Sequence, residues 1–153
     1  LNISRQSVFN DRFVQYALDL LKEYSVSAAN LCFEINEPEF YDNTEAFKRF
    51  VTLVKSRGCR VALDDFNYNP SSINLVRRLA IDYIKLDARQ FRGIDNANDF
   101  NYKLLESINK INHLAGSQTI VKYIDNPEFI ASLYEIGTDY VQGYAIETPQ
   151  LLV

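Results

Sequence analysis

The residues in this chain with the most chemical potential are carboxylates set into apolar runs. Glu34 lies within residues 31–36, and the pair Asp64 and Asp65 within residues 60–66. An acid taken out of water there needs a cation, a lysine or hydrogen-bond donors beside it. A hard divalent metal is one answer: carboxylate oxygens with the carbonyl of Asn2 are the ligands that magnesium, manganese or calcium prefer, and such ions clamp phosphates and activate water. Phosphodiester hydrolysis is the chemistry such a set would serve. The other answer makes Asp64 and Asp65 a strand-ending turn and Glu34 an ion-pair partner, and spacing does not choose between the two. Lys85, Lys122 and Gln142 occupy comparable stations in later apolar runs.

Such residues need elements to position them. From residue 8 onward, short β-branched or aromatic runs alternate with stretches of 3.6-residue periodicity, as alternating strands and helices require. Helical stripes are formed by Phe13, Val14, Ala17, Leu18 and Leu21, by Phe47, Phe50, Val51 and Val54, by Leu104, Ile108 and Ile111, and by Phe129, Ile130 and Leu133. Asp42 and Glu45 stand at capping-box spacing before the second stripe, and Gly58 is placed to end it. Asn126 and Pro127 predict an N-cap and first helical residue for the last stripe, with a stop at Gly137. The expected strands cover residues 31–36, 60–66, 83–87, 119–124 and 140–144, with 1–3 as the end of another. Most are apolar throughout, which marks parallel strands covered on both faces.

Alternation alone fits an open doubly wound sheet or a closed barrel. Polar residues favour the barrel. Asn2, Glu34, Asp64, Asp65, Lys85, Lys122 and Gln142 sit toward the C-terminal ends of the runs, and in a (β/α) barrel those ends converge on one mouth, whereas an open sheet spreads them along an edge.

Bulk properties set the outer limits. A chain of 153 residues, 47% hydrophobic, buries one core of ordinary size. The net charge of −4 offers no basic field for a nucleic-acid backbone, so DNA is not an expected partner. No run approaches the roughly 20 apolar residues of a membrane span, and no signal-peptide pattern opens the chain, so a cytoplasmic protein is expected. Cys32 and Cys59 lie beside apolar stretches and are expected to act as small hydrophobes. His113 is expected as a surface or helix-end residue, and Arg77 and Arg78 as a solvated helix face. The chain contains no methionine and starts at Leu1, so residues upstream are expected.

The stretch from Gly58 through Asp64-Asp65-Phe66, followed by Ser71-Ser72 and by Asp82-Tyr-Ile-Lys-Leu-Asp87, resembles the central motif of the EAL domain, the barrel family that handles the bacterial second messenger cyclic di-GMP. Leu1-Asn-Ile-Ser4 is similar to the family's strand bearing a metal-binding asparagine, and Phe33-Glu-Ile-Asn-Glu37 to the strand bearing a second-site glutamate. Gly137 through Gly143-Tyr144 and Pro149 resemble its closing pattern. The resemblance implies a (β/α)8 TIM-like barrel of EAL type. Because such a barrel takes about 250 residues, residues 1–153 are expected to be its C-terminal larger part, one domain whose first strand and helix, with the Glu-Ala-Leu segment, lie upstream.

Residue by residue, the resemblance implies metal ligands at Asn2, Glu34, Asp64 and Asp65, a catalytic role for Lys85 on the attacking water or a phosphate, and ligand contacts from Gln142 and Asp87. Two departures qualify it. Where the family has Ala-Glu-Gly-Val-Glu, this chain has Val121-Lys-Tyr-Ile-Asp125, so Lys122 replaces the family glutamate. An ammonium cannot accept a proton until it has lost its own, and about 5 Å from a divalent ion it costs roughly 7 kcal/mol at an effective dielectric near 20. Lys122 is therefore expected to take the metal's electrostatic role by pairing with Glu34, Asp64 or Asp65; the bland alternative extends it into solvent at the rim. The family's Asp-Asp-Phe-Gly-Thr-Gly loop becomes Asp64-Asp-Phe-Asn-Tyr-Asn-Pro70, in which Asn67 and Asn69 are expected to keep left-handed backbone and Pro70 to stiffen the turn.

The resulting expectation is a degenerate EAL domain in bacterial signal transduction, impaired in catalysis and serving as a cyclic di-GMP-binding or regulatory module. Magnesium or manganese is the cofactor if it is active, and none if Lys122 displaces it. An upstream sensory or GGDEF-type domain and a homodimer are the expected partners. The alternatives are an active metal-dependent phosphodiesterase and a protein-interaction scaffold without nucleotide.

Overall fold

The computed structural model of the chain describes residues 1–36, 44–66, 68–91 and 97–151. They divide into two compact units, Leu1–Asp82 and Tyr83–Val153. Among the described residues no helix is long and apolar enough to cross a membrane.

The first unit runs α1 (Arg5–Val8), α2 (Asp11–Glu23), a 3-10 turn (Ala28–Asn30), β1 (Cys32–Asn36), α3 (Thr44–Ser56), β2 (Arg60–Asp64) and α4 (Pro70–Leu79). β1 and β2 are parallel, with Phe33 beside Val61, Glu34 beside Ala62, Ile35 beside Leu63 and Asn36 beside Asp64. Residues 1–3 add the expected further strand end: Asn2 bridges Glu34 in parallel, the Ile3 N–H donates to Glu34 O at 3.0 Å, and the Glu34 N–H donates to Leu1 O at 2.9 Å. Alternation along the strands then assigns the faces. Phe33, Ile35, Val61 and Leu63 are fully buried, and the Phe33 ring packs edge-on against Phe50 of α3 and Phe13 of α2 at centroid distances of 5.6 and 6.4 Å. Glu34, Asn36 and Asp64 therefore share the opposite face.

The second unit runs β3 (Tyr83–Asp87), a 3-10 turn (Ala88–Gln90), α5 (Phe100–Ala115), β4 (Gln118–Lys122), α6 (Phe129–Ile136) and β5 (Tyr140–Val141). All pairings are parallel, with Lys85 beside Ile120, Asp87 beside Lys122, and Ile120 beside Tyr140. Ile84, Leu86, Thr119 and Val121 are buried on one face. Lys85, Asp87, Ile120 and Lys122 lie on the other, where Tyr83 and Tyr140 meet edge-on at 5.9 Å.

Several expectations change in detail. The α3 stripe of Phe47, Phe50, Val51 and Val54 is buried as its spacing predicts, whereas on α5 Leu104 and Ile111 are 37% exposed and the buried face is Leu105, Ile108, Asn109 and Asn112. Two asparagines disguise that face; Asn109 is held there by its Nδ2 bond to Thr138 Oγ1 at 3.1 Å. Asn69 is extended rather than left-handed (φ −84°) and caps α4, its Oδ1 accepting from the Ser72 N–H at 2.9 Å. Pro70 follows at the first helical position, where a missing N–H costs nothing. Among the described residues of this loop the left-handed one is Asp65, at φ 50°. Asn67 and Asp42 lie outside the described residues. α6 starts at Phe129, and Asn126 caps the preceding turn by accepting from the Glu128 N–H at 3.0 Å. Gly58 and Gly137 end their helices as expected, at φ 88° and 93°.

Candidate functional site

In the first unit the polar face of β1 and β2 ends in Glu34, Asn36 and Asp64, with Asp65 just beyond. The left-handed backbone of Asp65 turns the chain at the strand end, and its N–H donates to Asp64 Oδ1 at 2.9 Å. Asn36 donates from Nδ2 to Asp65 Oδ2 at 2.9 Å and so fixes that carboxylate, while Asn36 Oδ1 is buried without a hydrogen-bond partner. Asn2 reaches this group through its backbone bridge to Glu34. The donors are all oxygen, the chemistry a hard cation favours. Among the described residues, however, no group of three His, Cys, Asp or Glu side chains converges closely enough to hold a metal ion, so this arrangement does not fit one as it stands.

In the second unit two lysines occupy the polar face, and both are buried: Lys85 is 7% exposed and Lys122 is 6% exposed. The burial of Lys122 removes the reading in which it extends into solvent. Asp87 lies directly across the strand pair from Lys122. Asp87 is also gripped by Arg89, whose Nε donates to Oδ1 and Oδ2 at 2.9 and 3.1 Å and whose Nη2 donates to Oδ2 at 2.6 Å. The Arg89 guanidinium holds the Asp87 carboxyl below its ordinary range against the opposing effect of burial, and the charge of Lys122 adds to it.

Beyond Lys122 the ladder slips by one residue. The Gln142 N–H donates to Val121 O at 2.9 Å, but it is the Ile124 N–H, one residue later than regular pairing requires, that donates to Gln142 O at 3.1 Å. Tyr123 is the extra residue of this bulge, in left-handed backbone at φ 65°. Its ring lies 3.9 Å from the Arg89 guanidinium carbon and 5.0 Å from Lys122 Nζ, measured to the centroid. Gly143, next to Gln142, allows the close approach of the chains: a Cβ there would collide with the backbone N, C and O of Ile124. Gln142 itself is exposed.

The structure thus gathers Glu34, Asp64 and Asp65, with the Asn2 backbone, in one unit, and Lys85, Asp87 and Lys122 in the other. Sequence reasoning missed Asn36 and Arg89 and gave Tyr123 no role. Asn36 carried a signal, standing two residues from Glu34 and hence on its face of the strand. Of the residues set aside, Cys59 is buried and Cys32 half-buried, and burial pushes both thiols up, toward the inert form. His113 pairs with Asp139 at 2.8 Å in the last turn of α5, and Arg77 and Arg78 are exposed.

Comparison with known proteins places this geometry. The family model described as "EAL domain" matches residues 1–149. The chain is 29% identical over 150 residues to cyclic di-GMP phosphodiesterase PdeA of Borreliella burgdorferi, covering 98% of this chain and 22% of the relative. It is 31% identical over 153 residues to cyclic di-GMP phosphodiesterase PdeB of Shewanella oneidensis, covering 99% of this chain and 18% of the relative. The chain therefore spans about a fifth of the length of these curated relatives. Its structure is similar to that of the Xanthomonas citri FimX EAL domain solved in complex with c-diGMP, with a TM-score of 0.88 at 22% identity, covering 99% of this chain and 59% of that one. At that identity the likeness is one of fold, and the fold is the TIM-barrel-like one expected from the sequence.

Proposed function

The chain belongs to the EAL domain family, and on that premise we propose that it recognises cyclic di-GMP as a regulatory module in which Lys122 impairs hydrolysis. The observation that carries this reading is the burial of Lys122 on the strand face it shares with Lys85 and Asp87, with Asp87 across the pair. An ammonium held there supplies positive charge and no proton acceptor, so it can help hold a phosphate but cannot activate water as a general base. Lys85 is the second buried lysine of that face and the residue for a phosphate or the attacking water. Glu34, Asp64 and Asp65, the last oriented by Asn36, are the acid group of the first unit. Gln142 and Asp87 serve the ligand side, Asp87 through the cations it positions.

Support for the ligand comes from the relatives named as cyclic di-GMP phosphodiesterases and from the FimX domain solved with c-diGMP. Residues 1–153 form one EAL-type domain of a longer bacterial, cytoplasmic protein, with a sensory or GGDEF-type domain upstream and a homodimer as its working form. Calorimetry with cyclic di-GMP, followed by a turnover assay with manganese and with magnesium, tests the proposal. Binding without turnover is the expected result. Rapid linearisation of the dinucleotide would make the chain an active metal-dependent phosphodiesterase, and absence of binding would make it a protein-interaction scaffold.

A further inference from the structure

Tyr123 and Arg89 form a feature that neither the acids nor the lysines require. A tyrosine at φ 65° occupies backbone that side chains with a Cβ rarely adopt, and bulges of this kind re-aim a side chain at the rim of a sheet. Here the bulge brings the ring against the Arg89 guanidinium, 3.9 Å from its centroid. The Arg89 plane is fixed independently, because its Nε and Nη2 both donate to Asp87, which is itself set by the strand register opposite Lys122. Ring and guanidinium are thus a stacked pair held from both ends. Tyr123 is 45% exposed and the Arg89 side chain 66% exposed, so the stack faces solvent at the strand ends.

We propose that the Arg89–Tyr123 stack is a platform for one base of a purine dinucleotide. Flat aromatic and guanidinium faces are the surfaces on which unstacked bases are held. With the Nε and Nη2 edge of Arg89 engaged by Asp87, what the pair offers is its face, so it contributes affinity through stacking rather than by reading the edge of the base. The proposal rests on the reading that this chain takes cyclic di-GMP, and the test separates the two.

Calorimetry with cyclic di-GMP compares the unaltered chain with Tyr123→Gly, Tyr123→Phe and Arg89→Lys, each first shown to unfold cooperatively in urea. Tyr123→Gly removes the ring and suits the left-handed backbone, while Arg89→Lys keeps the charge beside Asp87 and removes the plane. Each is expected to weaken binding roughly tenfold. Tyr123→Phe, which keeps the ring, is expected to stay within about twofold, and Arg89→Lys to leave the salt dependence of binding unchanged. Equal affinity for all variants, or a loss in Tyr123→Phe equal to that in Tyr123→Gly, overturns the platform while leaving the functional reading in place. No binding by the unaltered chain overturns both. If one of the weakening variants does not fold, the other decides.

Discussion

Asp82 and Asp139 hold equivalent stations in the two units. Asp82 Oδ2 accepts from the N–H of Val61, second residue of β2, and from Lys55 Nζ, both at 2.8 Å. Asp139 Oδ2 accepts from the N–H of Thr119, second residue of β4, at 2.7 Å and lies 2.8 Å from His113 Nε2. In each case one carboxylate ties the start of a strand to a basic residue in the last turn of the helix before it. The device fixes the strands from their N-terminal ends and leaves the opposite ends free for chemistry.

Replacing Asp139 tests that device. Burial pushes its carboxyl up, but the Thr119 N–H and His113 outweigh burial, and the net direction is down. A carboxylate depressed in the folded state stabilises above its unfolded range, and that stability is lost as pH falls through the folded value. Asp139→Asn is expected to cost about 1–3 kcal/mol at neutral pH and to flatten the loss of stability in acid. Urea unfolding at neutral and acidic pH measures both; an unchanged acid limb would show that Asp139 does not carry it.

Gly143→Ala is expected to be far more damaging than its size suggests, because the new methyl would meet the Ile124 backbone rather than a side chain that can move. A loss of about 2 kcal/mol or more is expected, with faster hydrogen exchange at the Gln142 and Ile124 amides. Slow exchange at both in a stable variant would contradict the close approach.

The sequence made the strands and most helices legible because their patterns are local. Glu34, Asp64, Lys85 and Lys122 stood out in the sequence because a charge in an apolar run is conspicuous. The α5 face was misread because Asn109 and Asn112 are buried polar residues, and Thr138, the partner of Asn109, is distant in sequence. Asn69 was taken for a glycine substitute because its capping bond depends on where α4 starts, which Pro70 decides. Arg89 stayed hidden because its meaning comes from Tyr123, which reaches it only through a bulge that no periodicity reveals.

Tyr123→Ala and Tyr123→Gly together measure the strain stored in that bulge. Both lose the ring, but only glycine adopts φ 65° without penalty. Tyr123→Gly is expected to be more stable than Tyr123→Ala by about 1 kcal/mol. Equal urea midpoints would mean that the backbone relaxes out of the left-handed region once the ring is gone.

Lys122→Glu tests the electrostatics of the polar face. It removes the cation opposite Asp87 and adds a second acid, so in metal-free buffer the variant is expected to lose about 3 kcal/mol. Manganese is then expected to raise the melting temperature of Lys122→Glu and to leave that of the unaltered chain unchanged. A manganese-induced rise in the unaltered chain, equal to that in the variant, would show that Lys122 does not compete with a metal.

The bulge at Tyr123 also resets the parity of the chain. In a regular strand Ile124 would follow Lys122 onto the same side, and an isoleucine would stand among the charges. The one-residue slip sends Ile124 to the other side instead, where it is 1% exposed. A single inserted position therefore lets an ammonium and an aliphatic side chain, two residues apart, each reach the environment that suits it.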